Sequence, residues 1–303
     1  MYAAGVILDE HAIRDLLRMD DLIGAMVGAL ADLSSGKVAQ PPRVIVPVSE
    51  HQGFLGVMPA YGAALGAKLV TFYPHNQDIH THHAVIVLFR PETGELLVTM
   101  DGRLITEMRT AAVSAVATDL LARRHVSVLG ILGSGVQARS HLEALRLVRG
   151  FDEIRVWSPR NSRAFADQFG IYAAASAEEA VRNADVVVVA TTSTTAVLHG
   201  EWLSPGTHIN AVGAVRPNWR ELDDDVLRAS RIYVESREAA MRESGDVIAA
   251  NGIVAEIGEV VSGAQPGRRS DEEITLFKSV GVAVEDLVAA DLVYRNALRT
   301  QTS

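Results

Sequence analysis

The sequence predicts an α/β protein: a doubly wound parallel sheet in the second half, preceded by an α+β domain that the last helix completes. Three observations predict it. Residues 127–138 run from an apolar stretch into glycines and then into a helical pattern. From there to about residue 275 strand and helix patterns alternate, which means a parallel sheet covered on both faces. The first 115 or so residues instead hold short strands without helices between them, the mark of antiparallel material. These give a first domain at 1–115, with 276–303 returning to it, and a second at 116–275.

In chain order, Asp20 is expected to cap a helix whose Ile23, Met26, Val27, Leu30 and Leu33 form one apolar stripe, ended near Gly36. Strands follow at 43–48, 53–59 and 67–73, then a hairpin from 84–89 through Pro91-Glu-Thr-Gly94 into 96–100. A long helix from 106 to about 124 leads into the second domain. There the strands are expected at 128–132, 154–157, 185–190, 208–212 and 231–234. Ser176-Ala-Glu-Glu179 reads as a capping box, and the acidic stretch Glu221-Leu-Asp-Asp-Asp225 as a helix opening, where negative charge suits the dipole. The last helix, 282–299, carries Val284, Leu287, Val288, Leu292 and Val293 and is expected to pack on the first domain.

The glycines after the strand at 128–132 carry chemistry. Gly133 permits a tight turn, Gly135 lets backbone approach a pyrophosphate, and Ala138 leaves room for helix against strand. Val136 and Gln137 open a helix whose free N–H groups face the phosphates. With a strand before and a helix after, this is a Rossmann-like dinucleotide site. A site for NAD carries Asp or Glu at the end of the second strand, whereas NADP sites supply Arg. Here that strand ends in Ser158-Pro-Arg160-Asn161-Ser162-Arg163, with no carboxylate. NADP(H) is therefore the preferred cofactor, with NAD(H) a second candidate.

Composition narrows the class. The chain has 303 residues, 48% of them hydrophobic, enough for two real cores. A net charge of −9 argues against nucleic acid or an anionic membrane as partner. There is no cysteine, the N-terminus lacks the pattern of a signal peptide, and no apolar run approaches the length of a membrane span. The expected location is the cytoplasm.

A nicotinamide enzyme must also hold its substrate, and three cations of the first domain are candidates: Arg43, Lys68 inside an apolar strand, and Arg109 among small helix residues. Each has an ordinary reading: a strand-end charge, a lysine on a wet face, an arginine stem lying on a helix. Together they make a carboxylate clamp with an added point charge. The run His80-Thr-His-His83 lacks supporting ligands, so no metal is expected.

At this point the chain resembles the ornithine cyclodeaminase/mu-crystallin family, closest to its mu-crystallin (ketimine reductase) branch. The resemblance spans nearly the whole chain. It is carried by Phe54-Leu-Gly-Val-Met-Pro-Ala-Tyr61, Lys68-Leu-Val-Thr-Phe-Tyr73, Met100-Asp-Gly-Arg-Leu-Ile-Thr106 and Arg109-Thr-Ala-Ala-Val-Ser-Ala115. Further on come Ile131-Leu-Gly-Ser-Gly-Val-Gln-Ala138, Ile209-Asn-Ala-Val-Gly213, Arg216-Pro-Asn-Trp-Arg-Glu-Leu-Asp-Asp224, Glu243-Ser-Gly-Asp246 and Phe277-Lys-Ser-Val-Gly281.

The resemblance implies a homodimer joined through the first domain. It implies Arg43, Lys68 and Arg109 at the substrate carboxylate and reacting carbon, with Gly135, Val136, Gln137 and Ala138 at the pyrophosphate. It also places Ser158, Arg160, Asn161 and Arg163 by the adenosine ribose, and Thr81, His82, Thr110, Thr191, Val212, Ala214 and Ser279 toward the nicotinamide. The activity it implies is NADPH-dependent reduction of a cyclic ketimine carboxylate. One departure bears on that choice: cyclodeaminases carry Asp two residues after the glycine of the Val-Gly motif, where this chain has Val215. The alternatives are ornithine cyclodeaminase or an alanine dehydrogenase-type enzyme of the same family, and, from another class, a non-catalytic crystallin-like ligand binder.

Overall fold

A computed structural model describes residues 6–301. The leader-free reading of the N-terminus falls partly on residues 1–5, which lie outside the described residues. Two compact units emerge: the described residues through Arg109 together with those from Val282 onward, and Thr110–Gly281.

The chain begins with strand β1 (Val6–Leu8), helices α1 (Glu10–Leu16) and α2 (Met19–Ser34), and strands β2 (Val44–Val48), β3 (Gly53–Tyr61), β4 (Leu65–Phe72), β5 (His82–Phe89) and β6 (Leu96–Asp101). Helix α3 (Arg103–Leu121) follows. Next come β7 (Val128–Leu132), α4 (Val136–Val148), β8 (Glu153–Trp157), α5 (Ser162–Phe169), β9 (Tyr172–Ala173), α6 (Ala177–Val181), β10 (Val186–Val189) and β11 (His208–Ala211). The remaining elements are α7 (Asp224–Ala229), β12 (Ser230–Val234), α8 (Arg237–Glu243), α9 (Gly245–Ala249), β13 (Ala255–Glu256), α10 (Ile257–Val261), β14 (Ile274–Lys278) and α11 (Ala283–Gln301).

In the first unit six strands form one sheet in the order β1-β6-β5-β4-β3-β2, antiparallel except where β1 joins β6. Register sorts its two faces, because successive strand residues point opposite ways. Met58, Lys68, Ile86 and Met100 lie in one row across β3 to β6, and all four are buried. The adjacent row, Val44, Val57, Leu69 and Val85, lies on the opposite face, where Val44, Leu69 and Val85 are exposed. Helix α11 packs on β3, β4, β5 and α2.

Helix α2 departs from expectation at its start. Arg18 is its N-cap, with no side-chain cap bond, and Asp20 sits in the first turn with its carboxylate 2.9 Å from Arg18. Its buried stripe is Leu22, Met26, Ala29 and Leu30, whereas Val27 is exposed. Met26 and Leu30 are shared with the expected face, while Leu22 and Ala29 are buried where Ile23 and Leu33 are only half-buried. Gly36, at φ +75°, ends this segment in the left-handed region as glycine allows.

The second unit is an eight-stranded sheet, parallel throughout, in the order β13-β12-β14-β11-β10-β7-β8-β9. Its core includes fully buried Val187 and Val189 of β10, Ile209 and Ala211 of β11, and Val234 of β12. Strand β14 was not anticipated, and it lies between β11 and β12. The division between units accordingly falls at 281/282, after β14, and at 109/110 within α3, where the sequence reading drew it at 275/276 and 115/116. Only half of the expected capping box forms: Ser176 Oγ accepts from the Glu179 N–H at 3.0 Å, but Glu179 reaches back to the Ala175 N–H at 2.5 Å.

Candidate functional site

In the second unit the chain reverses its winding at β7: β8 and β9 lie on one side, β10 and β11 on the other. Ligands of open parallel sheets bind at such a switch point, beyond the carboxyl ends of the strands. Gly133 leaves β7 at φ +120°, and a Cβ there would run into the Ala190 carbonyl. Gly135 is the N-cap of α4, with no side-chain cap bond and open space where a Cβ would stand. The first turn of α4 thus offers N–H groups to an anion, as a pyrophosphate requires. Ala138 is fully buried, so its small side chain sets the approach of this helix. The residues present fit a dinucleotide.

At the end of β8, Ser158 Oγ lies 2.9 Å from Ser134 Oγ in the glycine turn and accepts from the Asn161 N–H at 3.2 Å. The Ser158 N–H in turn donates to Ser162 Oγ at 2.6 Å. Arg160 and Asn161 are exposed in this turn. Arg163 is not part of the turn: it lies in the first turn of α5, and its Nε donates to Asp167 Oδ2 at 3.2 Å.

Beyond β10, β11 and β14 lie Thr191, Val212 to Ala214, and Ser279. Ala214 holds φ +49°, uncommon for a residue with a Cβ, and marks a strained turn at the end of β11. The Ser279 N–H donates to Ala211 O at 3.0 Å. Glu221, read from sequence as part of a helix opening, is instead fully buried here. Its Oε1 accepts from the Thr191 N–H at 3.0 Å and hydroxyl at 2.5 Å. Asp223 is the N-cap of α7, accepting from the Val226 N–H at 2.8 Å, and Asp224 and Asp225 supply the negative charge of its first turn. Burial pushes the Glu221 carboxyl up to about 7, against the opposing pull of Lys278 and the Thr191 hydrogen bonds. Thr110 is buried near the start of this unit's share of α3.

The first unit holds the other cluster. Lys68 is 2% exposed, and its Nζ lies 2.6 Å from Asp286 Oδ2 of α11. Arg109 donates through Nε to Asp286 Oδ1 at 3.0 Å and through Nη1 to Glu285 Oε2 at 2.7 Å. Both carboxylates are fully buried. Burial lowers the Lys68 ammonium to about 8; Asp286 opposes that shift, while the charges of Arg109 and Arg43 add to it. Lys68 and Arg109 thus share Asp286, and the Arg43 charge acts on Lys68. For Asp286, burial favours the neutral form, but Arg109 and Lys68 outweigh it and hold the carboxyl below its usual range. His82 is lowered to about 4, first by burial and then by the Lys68 charge, so its ring is neutral at pH 7. Thr81 is exposed and contributes its carbonyl to the Tyr73 N–H at 2.7 Å.

Sequence reasoning missed Glu285 and Asp286. The available signal was two adjacent acids set between Val284 and Leu287 in an otherwise apolar helix start, where a buried carboxylate needs a cation.

Comparison with known proteins adds four findings. The sequence profile of the ornithine cyclodeaminase/mu-crystallin family matches residues 4–301. Ketimine reductase mu-crystallin of Mus musculus is 50% identical over 308 residues, covering 97% of this chain and 98% of the relative. The Thermococcus litoralis Delta(1)-pyrroline-2-carboxylate reductase, solved with NADH and L-proline, superposes with a TM-score of 0.93 at 39% identity, covering 98% of each chain. An archaeal alanine dehydrogenase dimer with bound NAD gives the same TM-score, 0.93, at 37% identity, covering 98% of this chain and 97% of its own.

Proposed function

The chain belongs to the ornithine cyclodeaminase/mu-crystallin family, and we propose that it is an oxidoreductase of C–N bonds that reduces a cyclic ketimine carboxylate with NADPH. The substrates in view are 1-pyrroline-2-carboxylate and 1-piperideine-2-carboxylate, and the product is the cyclic amino acid. The observation that carries this reading is the buried Lys68, paired with Asp286 and within the charge reach of Arg43 and Arg109.

Bound at the glycine turn, the nicotinamide cofactor supplies a hydride for the imine carbon. The chain's own residues do the rest. Arg43 and Arg109 receive the substrate carboxylate, and Glu285 and Asp286 fix the orientation of the Arg109 guanidinium from two of its edges. Lys68 Nζ carries a proton at neutral pH, because its value near 8 lies above it. Passed from Nζ to the imine nitrogen, that proton makes the iminium, the better hydride acceptor, and leaves Lys68 as the neutral amine. Above about pH 8 the ammonium is lost, so reduction slows as pH rises through that value. Fixing the carboxylate places the reacting carbon and supplies much of the rate gain.

Three finer statements belong to this proposal. NADP(H) is preferred over NAD(H), because Ser158, Arg160 and Asn161 stand where a ribose-binding acid would be. The protein is a cytoplasmic homodimer joined through the exposed apolar row Val44, Leu69 and Val85. Imine reduction is favoured over ammonia elimination, since Val215 can neither accept a proton nor bind an ammonium.

A panel assay tests the proposal. NADPH consumption is followed with five- and six-membered cyclic imine carboxylates and with 2-oxo acids plus ammonia. Ammonia release is followed from ornithine with NAD. Turnover confined to the cyclic imines is expected. Robust ammonia release from ornithine would reverse the ranking, and no turnover with any substrate would favour a ligand binder.

A further inference from the structure

Among the charged side chains that the second unit buries and the reaction above does not use, Glu221, Asp246 and Lys278 lie together. Glu221 spans two strand ends: it takes the N–H and hydroxyl of Thr191, two residues past β10, and its Oε2 fills the space where a Cβ of Gly213, two residues past β11, would stand. Gly213 must therefore be glycine. Lys278, the last residue of β14, donates to the Gly213 carbonyl and lies 3.5 Å from Asp246 Oδ2. Asp246 of α9 accepts from the backbone N–H groups of Glu221 at 3.1 Å and Leu222 at 3.2 Å. Arg220, partly exposed and paired to Asp224 at 2.7 Å, reaches within 4.0 Å of Asp246. These are the groups that face Glu221: Thr191 from β10, the Gly213 backbone from β11, Lys278 from β14, Asp246 from α9 and its own neighbour Arg220.

In a doubly wound sheet the two halves each take one half of a dinucleotide. Strands β7 and β8 with the glycine turn take the adenosine half, which leaves the ends of β10 and β11 for the nicotinamide. The oxidised nicotinamide ring carries a positive charge, and the reduced ring carries none. With Glu221 ionised, the buried trio of Glu221, Asp246 and Lys278 holds one net negative charge; with Glu221 protonated it holds none.

Resting on the nicotinamide-nucleotide reading above, we propose that Glu221 is a positioning residue whose ionisation makes the second unit discriminate oxidised from reduced cofactor. The ionised carboxylate favours the cationic oxidised ring, and the protonated form removes that preference. Burial brings the Glu221 carboxyl to about 7, so the switch operates around neutrality.

The test is calorimetric titration of the purified protein with NADP+ and NADPH from about pH 5.5 to about pH 8.5. Both nucleotides carry the same 2′-phosphate, so its own titration and the Arg160 turn cancel in the ratio of dissociation constants. That ratio, oxidised over reduced, is expected to fall about tenfold as pH rises through neutrality, the scale of one unit charge at moderate effective dielectric. In Glu221→Gln the ratio should stay at the wild-type acidic value through neutrality and change only above about pH 8, where Lys68 loses its proton.

A second readout needs no nucleotide. A carboxyl raised from 4.5 to about 7 in the folded state holds a proton that the unfolded state has released, so wild-type stability falls as pH rises across that window. Glu221→Gln should therefore gain melting temperature over wild type at about pH 8 and not at about pH 5. Should the variant fail to fold, the wild-type ratio between about pH 5.5 and about pH 7, below the Lys68 limb, decides alone. Two nucleotides that bind with a pH-independent ratio overturn this inference and leave the nucleotide reading intact. No binding of either overturns both.

Discussion

At the scale of single residues the decisive feature is how Lys68 is held. Its setting was half legible in the sequence: a lysine in an apolar strand, with two arginines nearby in function if not in number, announces a depressed pKa. The other half was not legible, because Glu285 and Asp286 come from the far end of the chain, and only the packing of α11 on β4 brings them to it. Asp286 is the group that opposes the fall of the Lys68 pKa. Replacing it by Asn removes that opposition, so the ammonium is lost at lower pH. In Asp286→Asn the descending limb of kcat/KM for imine reduction should move down from near 8 by about one pH unit or more, read from a pH–rate profile. A limb that stays in place would mean that Lys68 is not the group whose proton the reaction uses. Glu221 shows the opposite failure of legibility: its neighbours Asp223 and Asp224 do open a helix, and nothing local separates it from them.

At the scale of elements, long apolar runs and glycine turns spoke clearly, and short elements did not. Strand β7 and the start of α4 fall where sequence placed them, because a short run of four apolar residues around Gly130, followed by Gly133 and Gly135, leaves few other solutions. Strand β13 has two residues, and α9 and α10 have five each, too few for any period to emerge. Strand β14 was hidden differently: it ends in Lys278, a residue that reads as surface yet is fully buried. The turn between β8 and α5 is the element to which the proposal assigns cofactor preference. Ser158 is hydrogen-bonded to Ser134 of the glycine turn, so a carboxylate introduced there lies against that turn, at the proposed ribose site. Ser158→Asp should repel a 2′-phosphate and cut the preference for NADPH over NADH by about tenfold or more in kcat/KM. Wild-type protein that already uses NADH as well as NADPH would remove the basis for that expectation.

For the whole molecule, alternation of strands and helices was enough to give the class, but not the strand order. That β14 sits between β11 and β12 depends on contacts far apart in sequence, which no local pattern encodes. The first unit exposes Val44, Leu69 and Val85 together on one sheet face, an apolar row suited to an interface. Light scattering should report a dimer, and Leu69→Lys with Val85→Lys should shift it toward monomer; a wild-type monomer would contradict that use of the face. The central claim is a division of labour, with the first unit acting on the imine and the second holding the nucleotide. Steady-state kinetics of Lys68→Met with 1-piperideine-2-carboxylate, paired with NADPH binding by calorimetry, tests it most directly. The account predicts a fall in kcat of about a hundredfold or more, the range of lost acid–base assistance, with NADPH affinity unchanged. Wild-type kinetics in Lys68→Met would contradict it.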